Sequence, residues 1–74
     1  MRRRLREVTE GQWFRKLSPG GGTWEVVALR QDAIGALHAQ IRRADDRSTY
    51  KTLAAAVLLD SRDYEPVEDP NGPR

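Results

Sequence analysis

Cysteine is absent from this chain of 74 residues, and His38 is its only histidine. Without thiols there can be no disulfide and no thiolate metal site, so a metal ion would have to be held by carboxylates. The adjacent Asp45 and Asp46 suit a turn better than metal ligation. We therefore expect no metal and no cofactor. The lack of disulfides in so small a domain predicts a reducing compartment, the cytoplasm.

Long apolar segments are also missing. The arginines near the amino terminus are not followed by an apolar run, and no segment approaches the ~20 apolar residues that a membrane span requires. We expect neither a recognisable secretion signal nor a membrane segment. With 38% hydrophobic residues and two tryptophans, the chain has enough apolar side chains for one small folded core.

Charge is present but unevenly distributed. The net charge is only +2, yet residues 1–17 hold six basic and two acidic side chains, whereas residues 64–74 hold three acids and one arginine. We interpret residues 1–10 as a flexible basic arm, 11–67 as one folded domain and 68–74 as a disordered tail. A basic arm is typical of proteins that bind nucleic acid, although charged ends also serve solubility.

Alternating apolar and polar residues predict four consecutive strands. We place them over residues 12–17, 23–30, 37–43 and from 49 onward. The third strand has the clearest pattern. Its apolar side, formed by Leu37, Ala39 and Ile41, is predicted to face the core. Its polar side, formed by His38, Gln40 and Arg42, is predicted to face water. In the first strand Trp13 and Phe14 point to opposite sides, which predicts burial of both sides.

The second and third strands can be aligned through the connection at residues 31–36. This alignment sets Val26 opposite Ile41 and Ala28 opposite Ala39. In the second strand, Trp24, Val26 and Ala28 are then predicted to point inward. Glu25, Val27 and Leu29 are predicted to point outward.

The hairpin that follows contains the polar residues 45–48. A four-residue loop closed by Ala44 and Thr49 would place Arg42 opposite Lys51, with Glu25 on the other side of Arg42. Ser18 to Gly22 predicts a second flexible loop, since no Gly-Lys-Ser/Thr and no helix follows these glycines as a nucleotide-binding loop would require.

Three successive alanines within residues 53–59 favour a short helix over a strand. We expect Thr52 to cap it and an apolar stripe to face the core through Leu53, Val57 and Leu58. Tyr64 to Val67 predicts a last strand. Pro66 lacks an amide donor, so this strand must lie at a sheet edge.

Four strands, a short helix and a fifth strand give an order that resembles the SH3-like barrel group over about residues 11–67. The segments that carry the likeness are Trp24-Glu-Val-Val, Leu37-His-Ala-Gln-Ile-Arg, Asp45-Asp46, Lys51-Thr-Leu and Tyr64-Glu-Pro-Val. They are similar to small uncharacterised bacterial proteins of that fold. The resemblance implies a mostly β, five-stranded antiparallel barrel with one short helix before the last strand. It implies no activity and no functional residues.

Two kinds of binding surface are predicted. The first is a polar face that would contact a nucleic-acid backbone through Arg15, His38, Gln40, Arg42 and Lys51. The alternative is an ordinary solvent-exposed row of charged side chains that binds no ligand, in which Glu25 neutralises Arg42. The second is an apolar protein interface, or a homodimer contact, formed by Val27, Leu29 and Ile34. An enzyme is the least favoured class, because no nucleophile or paired carboxylate stands near a base in the sequence.

Overall fold

The computed structural model describes residues 7–68. Within them five antiparallel strands form one curled, half-barrel sheet with a short helix before the last strand, as the sequence predicts. The elements are β1 (Trp13–Lys16), β2 (Thr23–Gln31), β3 (Leu37–Arg43), β4 (Tyr50–Ala54), α1 (Ala55–Leu58) and β5 (Tyr64–Val67). The strand order is β4-β3-β2-β1-β5, so β4 and β5 are the two edges. The predicted edge position of Pro66 is confirmed.

The core lies on the inner side of the curled sheet. Its largest fully buried side chains are those of Phe14, Ile41, Leu58 and Val26, each at most 1% exposed, and Trp24 joins them. Trp13 is buried as well but lies on the other side of β1, which confirms that both sides of this strand are covered.

The predicted arm falls partly within the described residues. Val8 is only 4% exposed and belongs to the core, and the amide of Gly11 donates to the carbonyl of Val26 at 2.9 Å. The arginines of the arm and residues 69–74 of the predicted tail lie outside the described residues.

The pairing of β2 with β3 follows the prediction up to Val26 and departs from it beyond. Val26 faces Ile41, but a bulge at Val27 then adds one residue to β2, so that Ala28 faces Gln40 and Leu29 faces Ala39. One inserted residue reverses the alternation of all later side chains. The predictions that Ala28 points inward and Leu29 outward are therefore wrong.

The β3–β4 hairpin is one residue longer than predicted. Arg43, not Ala44, pairs with Thr49, and the amide of Ala44 donates instead to the carbonyl of Thr23 at 2.8 Å. As a result Arg42 lies opposite Tyr50 and Ile41 lies opposite Lys51. The predicted pairing of Arg42 with Lys51 is wrong.

The helix begins later than alanine content predicts, because sheet pairing extends β4 through Ala54. Thr52 lies within the strand, and the N-cap position is taken by Ala54, which makes no side-chain cap. Leu58 is buried and Leu53 packs against the core, but Val57 is 39% exposed, so its predicted place in the stripe is wrong. Helix α1 contacts β3, β4 and β5. At four residues it is too short to cross a membrane, and residues 7–68 contain no other helix.

Candidate functional site

The side of the sheet opposite the core carries a set of polar residues on its three strands β2, β3 and β4. Residues that pair across antiparallel strands point to the same side. Three successive cross-strand rows therefore lie side by side on this surface, which we call the outer face: Glu25–Arg42–Tyr50, Ala28–Gln40–Thr52 and Arg30–His38–Ala54.

A groove of about 360 Å³ lies on the outer face. It is lined by residues of β2, β3 and β4 and of the β2–β3 connection, namely Ala28, Leu29, Arg30, Gln31, Asp32, His38, Gln40 and Thr52. The small side chain of Ala28 sits between larger neighbours, and it occupies this place only because the bulge at Val27 turns it outward. The groove thus combines an apolar surface with two amides, a hydroxyl, an imidazole, a guanidinium and a carboxylate.

Asp32 organises one end of the groove. Its Oδ1 accepts hydrogen bonds from the amides of Ile34 and Ala36, and its Oδ2 lies 3.0 Å from Nε2 of His38. The hydrogen bond from His38, and next the one from the Ala36 amide, hold the pKa of Asp32 below its ordinary value. Both carboxylate oxygens are therefore engaged within the protein, and His38 is held in a fixed position beside the groove.

Arg30 is the cation of the groove that remains uncommitted. It is exposed, and no carboxylate among residues 7–68 forms an ion pair with it. Asp32 directs its hydrogen bonds to His38 and the loop amides, so it does not pair with the exposed guanidinium of Arg30. This arrangement favours an anionic group as ligand.

Arg42, unlike Arg30, is paired with a carboxylate. Its Nη2 donates to Oε1 of Glu25 at 3.1 Å, and both side chains are about three-quarters buried. This bond, and next the Tyr50 side chain, raises the pKa of Arg42 above its ordinary value. The pairing with Glu25 is the one that the sequence predicts, and it leaves Arg42 as a fixed, neutralised neighbour of Tyr50.

The structure brings together three of the five predicted polar site residues: His38, Gln40 and Arg42 share the outer face. Arg15 points to the same side of the sheet as Glu25, but it lies on β1 and forms an ion pair with Glu65 of β5. Lys51 lies opposite Ile41 and points to the inner side, where its Nζ is 5.0 Å from the centroid of the Trp24 ring. Arg15 and Lys51 therefore do not extend the patch.

The predicted apolar surface is also divided. Leu29 packs against the core, and Ile34 is 89% exposed in the β2–β3 connection. Val27 is half-buried at the bulge. Three residues of the outer face were missed by sequence reasoning: Arg30, Tyr50 and Thr52. Their period-two positions on the strands were the available signal, but it becomes readable only once the bulge and the hairpin length are known.

Within residues 7–68, no three His, Asp or Glu side chains are grouped so that they could hold a metal ion. No hydroxyl among these residues donates to His38, whose hydrogen-bond partner there is Asp32. Comparison with models of protein families, with curated proteins and with solved structures finds no significant match to this chain.

Proposed function

We propose that this protein is a small, cytoplasmic, non-enzymatic binding module of the SH3-like type that binds nucleic acid through its outer face and its arginine-rich amino-terminal segment. One observation carries the proposal: the exposed guanidinium of Arg30, which forms no ion pair within residues 7–68, lies at a groove. The other polar side chains of the groove lining are those of Gln31, Asp32, His38, Gln40 and Thr52. Arginine binds phosphate oxygens well because its planar fork donates two hydrogen bonds at once.

The distribution of charge suggests that the sheet and the amino-terminal segment contribute to binding in different ways. Residues 7–68 hold eight lysines and arginines against ten aspartates and glutamates, whereas the first six residues include four arginines. The sheet is thus not a general polycation. Its contact with a polyanion is local, at Arg30, while the arginines of the amino-terminal segment add affinity by releasing counterions from the phosphates.

The absence of a catalytic role is also part of the proposal. His38 has the orienting carboxylate that a general base requires, but the described residues supply no nucleophile in hydrogen-bond contact with it. In our account the Asp32–His38 pair fixes the end of the groove and does not transfer protons.

The proposal predicts a salt-dependent affinity that Arg30 governs. In a fluorescence-anisotropy titration with labelled DNA and RNA, we expect R30Q to weaken binding severalfold and to reduce the slope of log K against log salt by about one. R15Q is the matched control, because Arg15 is equally an exposed arginine of the sheet but is paired with Glu65 away from the groove.

Absence of binding to any nucleic acid at low salt would contradict the proposal, and so would an equal loss in R15Q and R30Q. A variant with Arg2, Arg3, Arg4 and Arg6 replaced by glutamine measures the share of the amino-terminal segment. We expect its salt slope to fall further than that of R30Q.

A protein interface or a homodimer contact is the second candidate function. Ile34 favours it, since its side chain is 89% exposed in the β2–β3 connection and an apolar partner would bury it. Light scattering without nucleic acid tests the homodimer, because a homodimer has twice the mass of the monomer. A strict monomer would contradict the homodimer contact.

A further inference from the structure

Tyr50 is an aromatic side chain that the core does not use. All five aromatic residues lie among the described residues, and Trp13, Phe14, Trp24 and Tyr64 are each at most 6% exposed. Tyr50 is 49% exposed. Its ring is therefore available to a ligand, whereas the other four are enclosed by the protein.

The position of Tyr50 connects it to the groove. It lies opposite Arg42 on the outer face, and Thr52, which lines the groove, follows two residues later on the same side of β4. Side chains two residues apart on one side of a strand are separated by about 7 Å. From Tyr50 the outer face thus continues through Thr52 and Gln40 to Arg30 and His38, with an aromatic ring at one end and an exposed arginine at the other.

Arg42, which lies opposite Tyr50, is itself held in place by an ion pair. Its guanidinium is held by Glu25, and the Tyr50 side chain acts on it as well, so the ring stands beside a neutralised and partly buried ion pair. An aromatic side chain has few rotatable bonds, so it loses little side-chain freedom when a flat ligand stacks on it.

We propose that the ligand is single-stranded nucleic acid and that Tyr50 is its base-stacking residue. This inference rests on the proposed nucleic-acid function and names the form of nucleic acid. One base stacks on the Tyr50 ring, the neighbouring nucleotide enters the groove beside Gln40 and Thr52, and Arg30 contacts a phosphate. Stacking on a side chain requires unpaired bases, which a duplex does not present.

The test separates the ring of Tyr50 from its hydroxyl. The probes are labelled single-stranded DNA and RNA of about ten nucleotides, a length that spans such a site, and a duplex of the same sequence. We expect Y50F to bind the single strands about as well as wild type and Y50A to bind them about tenfold more weakly. V57A is the control, because it shortens another partly exposed side chain, on helix α1. It should leave binding unchanged.

Several results would overturn the inference. Equal affinity for single strand and duplex, together with no effect of Y50A, would remove the stacking contact but leave the proposed function standing. An equal loss in Y50F and Y50A would assign the contact to the hydroxyl. Binding of poly-glutamate as tight as that of the single strands would replace base recognition by plain charge attraction. No binding of any nucleic acid at low salt would instead overturn the proposed function itself.

Discussion

Asp32 joins the local structure of the β2–β3 connection to the geometry of the groove. One carboxylate oxygen holds the amides of Ile34 and Ala36, and the other holds His38. An aspartate and a glycine are both common in such connections, and here Gly35 adopts a positive φ of 87°. The sequence predicts the turn, but the contact with His38 depends on strand pairing and could not be predicted from it.

The lowered pKa of Asp32 predicts a loss of stability in acid. Its pKa is lower in the folded protein than in the unfolded chain, so between the two values the unfolded chain binds more protons. The stabilisation is therefore complete above the unfolded value of about 4 and is lost as the pH falls through the folded value. Asp60, with its pKa lowered to about 2 chiefly by the hydrogen bonds from Arg62, adds to the same effect.

Thermal unfolding of wild type and D32N, followed from neutral pH to about pH 2, measures this contribution. We expect D32N to melt below wild type at neutral pH and the difference to shrink in acid. D63N is the control, because no described residue donates a side-chain or backbone hydrogen bond to the Asp63 carboxylate. A difference between D32N and wild type that does not change with pH would contradict the account.

At the scale of elements, the predicted alternation holds until an irregularity interrupts it. The pairs Val26–Ile41 and Glu25–Arg42 precede the bulge in β2 and are confirmed. Leu29 follows the bulge, and Lys51 follows the longer hairpin, and both point to the side opposite to the prediction. A bulge is a property of how two strands pair, so the period of one strand cannot reveal it.

The helix illustrates competition between local propensity and pairing. Three alanines favour a helix, yet Leu53 and Ala54 pair with Ala39 and His38 on β3. Pairing with β3 outweighs differences in helix propensity of well under about 1 kcal/mol per residue. The helix is accordingly reduced to Ala55–Leu58.

Helix α1 provides a matched pair of neighbouring side chains, one buried and one exposed. Leu58 is 1% exposed and Val57 is 39% exposed. We expect L58A to lower the free energy of unfolding by about 2 to 5 kcal/mol, the usual cost of a leucine-sized cavity. V57A should cost about 1 kcal/mol or less. Urea denaturation measures both, and equal losses would contradict the described orientation of the helix.

At the scale of the whole molecule, the two sides of the sheet have different tasks. On the inner side the ring of Trp24 has cations near it, with Lys51 Nζ at 5.0 Å and Arg43 Cζ at 5.7 Å from its centroid, and Nε1 of Trp24 donates to the carbonyl of Gly21. These cations thus lie against the core. The polar and aromatic groups left for a partner lie on the outer face.

The sequence therefore predicted the fold better than the site. The strands could be predicted because one side of each is buried, and the order of apolar and polar residues in the sequence shows which residues that side contains. The site depends on which side each polar residue faces after two local insertions. Gln40 and His38 were found because they share a strand with the well-patterned Ile41, whereas Arg30 and Tyr50 were missed because they lie beyond the bulge and the longer hairpin.

An NMR titration of the ¹⁵N-labelled protein with a single-stranded oligonucleotide locates the binding surface residue by residue. We expect the amide shifts of Arg30, His38, Gln40, Tyr50 and Thr52 to change until the protein is saturated, while those of Arg15 and Glu65 stay in place. Changes confined to β1 and β5, or no change at low salt, would contradict binding at the outer face.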